Sequence, residues 1–269
     1  MPIYQTGVTP AAAGTAIITA AGYTALLTAM AAASDGDLGE DTSTGNYWVA
    51  WVDSGTGNVI LVPPEDYEAV SGYFEDAGAN KGYCIPADDW TAMAARGWSD
   101  NGGYSTTKAV DGPLIIDGAW TGSAQTSYAF FAEGDTQPTR MLAIMKIEMV
   151  AGSNASDSAI YMSGVTHRFL LNPASGTLGK ARFGSASKLG SGELSVASAT
   201  WVFFRVDVTD NEAITEVFTE SRLPTEHMTC ERSQASSATV LWPYFFARSF
   251  TGSAAHTLHV HEAHFLELT

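Results

Sequence analysis

Between residues 140 and 208 apolar and polar side chains alternate with period two. In RMLAIMKIEMV, Met141, Ala143, Met145, Ile147 and Met149 oppose Leu142, Ile144, Lys146 and Glu148. In the segment 201–208, Val202, Phe204, Val206 and Val208 oppose Trp201, Phe203, Arg205 and Asp207. Such a period marks strands that lay one face on a core. The same aromatic and β-branched character recurs in LIIDGAW, SYAFFAE, AIYMSGV, HRFLLN, ELSVAS, AITEVFTES, TVLWPYFFARSF and HTLHVHEAHFLEL, punctuated by Gly, Ser, Asn, Asp and Pro. Roughly ten strands over residues 114–268 predict a two-sheet jelly roll.

The first hundred residues read differently. Tyr23, Leu26, Leu27 and Met30 fall at helical spacing inside the uncharged run 11–33. An acidic stretch, 34–46, leads to two apolar segments around Ser-Gly-Thr-Gly, the signal of a hairpin. Pro63 and Pro64 end it and open a helical pattern of Asp66, Tyr67, Val70, Tyr73 and Phe74. A second short helix is expected after Pro86, with Trp90, Met93, Ala94 and Trp98 on one side. The Gly/Asn/Ser-rich segment 99–113 then breaks the periodicity. The expected fold class is therefore mainly β: a small N-terminal α+β anchoring region, 1–109, followed by a two-sheet jelly-roll sandwich, 110–269.

The run 11–33 is long enough to span a bilayer, yet its Ala, Thr and Gly content is too weakly apolar for insertion. No basic segment precedes it, so neither a secretory signal nor membrane insertion is expected. It is expected instead to pack on a partner or on other copies of the chain, with a homotrimer favoured.

Charge narrows the partners. Thirteen basic residues stand against 29 acidic ones, a net charge of -16, and no Lys or Arg precedes Lys81. Such a surface repels phosphate backbones, so nucleic acid is excluded as a partner. The acidity serves solubility, with docking on a basic partner or divalent-cation binding as the sharper alternative. Cys84 and Cys230 lack metal or redox spacing and are expected as two buried thiols, a single bridge between them being the alternative.

The C-terminal part resembles concanavalin A-like domains of the laminin G or lectin type. The likeness rests on the W-x-x-x-x-V-x-V strand from Trp201 to Val208, the segment Glu216–Thr219 before SRLP, and the closing pair within 244–268. It covers roughly 110–269 and implies fold alone. The Ala/Thr/Gly-rich opening with few lysines, joined to such a sandwich, is similar in style to bacteriophage virion proteins: fibres, spikes and capsid decoration proteins. That likeness implies a virion-surface location, anchoring to other virion proteins through 1–109, and display of the sandwich outward.

Candidate chemistry is sparse. His259 and His261 share a strand face and could present two imidazoles to a divalent metal, with Glu262 on the opposite face and His256 as a conceivable third ligand. Otherwise no cofactor is implied. Glycoside hydrolysis needs two carboxylates facing one groove. Glu148 has no partner at i+2, and Asp207 and Asp210 lie at a strand end and a turn. No nucleophile elbow or phosphate loop occurs. Most of the seven tryptophans are expected in the core. Trp120 and Tyr104, in turn-rich settings, are the candidate ligand-binding residues. Loops 117–127, 151–158, 172–179 and 184–192 carry hydroxyls and amides suited to sugars. The expectation is a non-enzymatic structural protein of a phage particle that contacts a host surface glycan. The alternative is a secreted polysaccharide-binding or polysaccharide-degrading jelly roll.

Overall fold

The computed structural model describes residues 17–75, 80–100, 106–118, 125–131, 139–151, 156–162, 168–171, 180–183, 194–208, 212–233, 243–249 and 256–269. Tyr104, Trp120 and Asp210 lie outside them. In chain order the elements are β1 (Ile18–Ala20), α1 (Tyr23–Ala29), β2 (Leu38–Asp41), β3 (Asn46–Val52), β4 (Val59–Val62), α2 (Pro64–Tyr67), β5 (Val70–Tyr73), β6 (Tyr83–Cys84), α3 (Trp90–Ala95), β7 (Trp98–Asp100) and β8 (Thr106–Lys108). There follow β9 (Leu114–Gly118), β10 (Gln125–Phe131), β11 (Arg140–Ala151), β12 (Ser156–Met162), β13 (Arg168–Leu171), β14 (Lys180–Phe183), β15 (Leu194–Ser195), β16 (Thr200–Val208), β17 (Glu212–Thr219), β18 (His227–Ser233), β19 (Pro243–Ser249) and β20 (His256–Leu268).

These strands form three sheets. A nine-stranded sheet runs β18-β17-β16-β11-β20-β9-β8, and β5 and β6 pair with β20 as well. A seven-stranded sheet runs β15-β14-β13-β12-β19-β10-β7, and a small one β1-β2-β3-β4. The expected mainly β class and sandwich hold.

Period two explains the layering. One face of the nine-stranded sheet supplies Met141, Ala143, Met145, Ile147, Met149, Val202, Phe204, Val206, Leu258 and Val260 to a buried core that also holds Phe245 of β19 and Trp98 of β7. Its other face supplies Leu142, Ile144, Trp201, Phe203 and Leu266 to a second core. That core is roofed by the small sheet and α1, through Tyr23, Leu26, Met30, Trp48 and Leu61. Trp48 stacks on Phe203 at 4.9 Å, and Tyr23 meets Trp48 edge-on at 4.7 Å while its hydroxyl donates to the Leu61 carbonyl at 2.6 Å. Gly39 lets α1 settle on β2, since a Cβ there would lie 2.3 Å from Met30 Sδ.

The residues expected on one helical face, Tyr23, Leu26 and Met30, are thus buried within their own chain, with Leu27 packed at the margin. That cover removes the reason for expecting this stretch to drive trimerisation. α1 is also only seven residues long. No helix among the described residues is long and apolar enough to cross a membrane.

The helical pattern expected over 66–74 stops after one turn. Pro64 opens α2, but Val70–Tyr73 leaves it to pair with Leu266–Leu268 of β20, because cross-strand pairing and burial outweigh a weak local preference. α3 forms as expected, with the Asp89 carboxylate accepting from the Ala92 N–H at 2.7 Å, while Trp98 belongs to β7.

The boundary expected between 109 and 110 falls inside shared packing. β5, β6 and β8 are strands of the nine-stranded sheet, β7 belongs to the seven-stranded one, and Phe74, Cys84, Met93 and Trp98 are members of the sandwich core. Ion pairs stitch the same junction. Arg205 of β16 pairs Asp66 at 2.5 Å, and Arg222 pairs Glu65 at 2.5 Å. Cys84 is a buried free thiol, as expected.

Candidate functional site

The longest strands of the nine-stranded sheet, β11 and β20, are neighbours and antiparallel. Their register sets Glu148 opposite His259 and Ile147 opposite Val260, and then jumps to Lys146 opposite Glu262. His261 is therefore an extra residue, a β-bulge that shifts the alternation of everything after it. Before the bulge Leu258 and Val260 face the sandwich core, and after it Ala263 and Phe265 do. His259, His261, Glu262 and His264 consequently all belong to the outer face. The expectation that Glu262 lies opposite the two histidines is corrected by this bulge, which no period-two reading anticipates.

Two polar clusters result. In the first, Glu148 Oε2 lies 3.0 Å from His261 Nε2, and the rings of His259 and His261 stand 6.1 Å apart at 73°. One donor atom from each of Glu148, His259 and His261 lies within 4.8 Å of the others, and all three side chains are half-buried. Burial holds His259 below the ordinary histidine value of 6.5, opposed by the Glu148 carboxylate and reinforced by His261. His259 thus favours the neutral imidazole, the form that ligates metals. The two histidines expected as a pair are together, and among the described residues Glu148 stands with them. The side chain of His256, the other ligand expected, lies outside those described.

The second cluster is closed. Asn58 Nδ2 donates to the Tyr73 hydroxyl at 3.3 Å, which lies 3.0 Å from His264 Nδ1, and His264 Nε2 lies 2.8 Å from Glu262 Oε1. Burial pushes the Tyr73 phenol well above its ordinary value, so it keeps its proton and donates it to Nδ1. His264 then donates from Nε2 to Glu262, so both ring nitrogens of the buried histidine have partners. Tyr73 is 2% exposed and His264 3%. The centre of the relay lies beneath the small sheet, while Glu262 keeps 18% of its side-chain surface exposed.

Asp207, also weighed for hydrolysis, falls elsewhere. It sits across from Arg140 in the register, with 3.2 Å between Arg140 Nε and Asp207 Oδ2. Asp117 of β9 accepts from Thr257 Oγ1 at 3.4 Å.

No protein-family model matches the chain, and no curated protein matches it. Solved structures do. A seed lectin from Lotus tetragonolobus is 8% identical with a TM-score of 0.42, covering 64% of this chain and 94% of its own. The apo form of the Crh5 transglycosylase is 11% identical with a TM-score of 0.43, over 74% and 89%. A legume lectin-like domain from Entamoeba histolytica is 11% identical with a TM-score of 0.37, over 65% and 92%. These likenesses assign no site residue.

Proposed function

We propose that the chain is a non-enzymatic recognition module: a sandwich that contacts a surface glycan through its loops and the open part of its outer sheet face. One observation carries this reading. Both carboxylates that β11 and β20 place on that face are bonded to histidines, Glu148 to His261 and Glu262 to His264. Glycosidases need an acid and a nucleophile or base directed at one bond. Here each carboxylate is bonded to a different histidine, and one of these, His264, lies in the buried chain.

Display on a phage particle, anchored to other virion proteins, is the setting that the Ala/Thr/Gly-rich opening and the acid-rich composition favour. Antibody labelling of native particles by negative-stain microscopy tests that setting.

The recognition role is tested on a glycan array with the full chain. Binding to a restricted set of surface glycans, weak for single sites and raised by multivalent presentation, is the expected result. A chain that binds no glycan on the array, in monovalent or multivalent form, contradicts the reading.

A further inference from the structure

We propose that Glu148, His259 and His261 form a site for one divalent transition-metal ion of the zinc class, with a fourth position open to solvent. The inference goes beyond glycan recognition and does not depend on it.

The donor set decides the class of ion. Two imidazole nitrogens and one carboxylate oxygen suit zinc, which takes three protein ligands where a position is left open. Calcium asks for six to eight oxygens, so a calcium ion of the kind lectin folds often carry does not fit these residues. Nickel and copper share the preference for imidazole and compete by availability.

Geometry supports the same reading. Zinc bonded to nitrogen and oxygen at about 2.0–2.1 Å in a tetrahedron separates its donors by about 3.4 Å. The His261–Glu148 pair already stands at 3.0 Å, and all three donors lie within 4.8 Å. Small side-chain rotations close that difference, and the hydrogen bond between the pair holds the donors together until an ion replaces its proton. The frame is rigid, because the ligands stand on the two longest strands of the sheet. The bulge at His261 contributes directly, seating an extra residue on the outer face beside Glu148. His261 and Glu148 keep 30% and 28% of their side-chain surface exposed, so an ion can enter and an outside oxygen donor can complete its shell.

The test uses the full chain, stripped with chelator and titrated with Zn²⁺ by calorimetry, with Co²⁺ absorption reporting coordination. One equivalent of Zn²⁺ should bind, and Co²⁺ should give the intense visible bands of a four-coordinate site. Losing an outer-shell partner commonly weakens a metal site by roughly 10–100-fold, so losing a ligand should cost at least that much. His259→Ala, His261→Ala and Glu148→Gln should each show it, while His227→Gln on β18 should not. Circular dichroism melts establish that each variant is folded; because the three side chains are half-exposed, all should be. Absence of stoichiometric Zn²⁺ binding by the wild-type chain overturns the proposal. So does binding that survives all three substitutions, or a Ca²⁺ affinity equal to that for Zn²⁺.

Discussion

Replacing Lys108 with methionine probes how the chain is held together. Lys108 ends β8 with its side chain buried, and its ammonium reaches four backbone carbonyls: Asp88 and Gly112 at 2.7 Å, Pro86 and Ala109 at 3.1 Å. Those carbonyls belong to two turns. The second is tight, with Asp111 in the left-handed region at φ 59° and its N–H donating to Pro86 at 2.7 Å. Methionine keeps the length of the side chain and removes every donor. A buried acceptor left without a partner costs about 1–3 kcal/mol. Pro86 keeps the Asp111 N–H and Ala109 the Gly112 N–H, so only the Asp88 and Gly112 carbonyls lose their partner. Two such acceptors would cost about 2–6 kcal/mol, offset in part because the ammonium need no longer be desolvated. A net loss of about 1.5–3 kcal/mol results, and at about 2 °C per kcal/mol for a chain of this size Tm should fall by about 3–6 °C. Differential scanning calorimetry reads it, with Lys146→Met as the control. The whole transition should move, because β8 pairs with β9 inside the nine-stranded sheet. A Tm within about 2 °C of wild type, or a separate early transition above an unmoved main one, would refute the reasoning.

Three further outcomes follow from the same packing. Asp53 and Asp41 are both held below the ordinary 3.8: burial works upward, but Lys81 and Thr56 at Asp53, and Ser43 with the Gly22 N–H at Asp41, outweigh it. Their stabilisation is present above pH 3.8 and disappears as pH falls through their lowered folded values, so acid melts of Lys81→Met should lose less stability over that window than wild type. Burial pushes the Cys84 thiol up to about 12, so a thiol reagent should modify it only on unfolding; fast labelling in native buffer would contradict its placement. A fragment of residues 110–269 lacks Phe74, Cys84, Met93 and Trp98 and should show no cooperative melt, whereas a sharp melt would show that β5–β8 are dispensable.

Local pattern carried most of the strand assignments. The alternation in 140–151 and 200–208 is visible because both faces of these strands follow period two, and the structure buries both, one in each core. The hairpin at 46–62 was equally readable from its turn. What the pattern could not carry was pairing. Val70–Tyr73 reads as helix because its partners lie nearly 200 residues away in β20. The site was half legible for the same reason. His259 and His261 are two apart on one strand and could be paired by counting. Glu148 becomes their neighbour only through a register set over twelve residues of β11, and Glu262 changes face only through a bulge. A carboxylate in a long alternating strand, lacking an i+2 partner, was the one available signal. Read along the chain Glu148 stands alone; across the sheet it meets His261 at 3.0 Å.

The reading of the outer face as a recognition surface is tested most directly by turnover. The full chain, with and without added Zn²⁺, is incubated with bacterial surface polysaccharides and with the glycans it binds, and products are followed by mass spectrometry. The account predicts bound but unaltered glycan under every condition, for the wild type and for Glu148→Gln and Glu262→Gln alike. Glycan fragments or transfer products that accumulate with the wild type and vanish with either substitution would contradict it, and would make these two carboxylates catalytic residues.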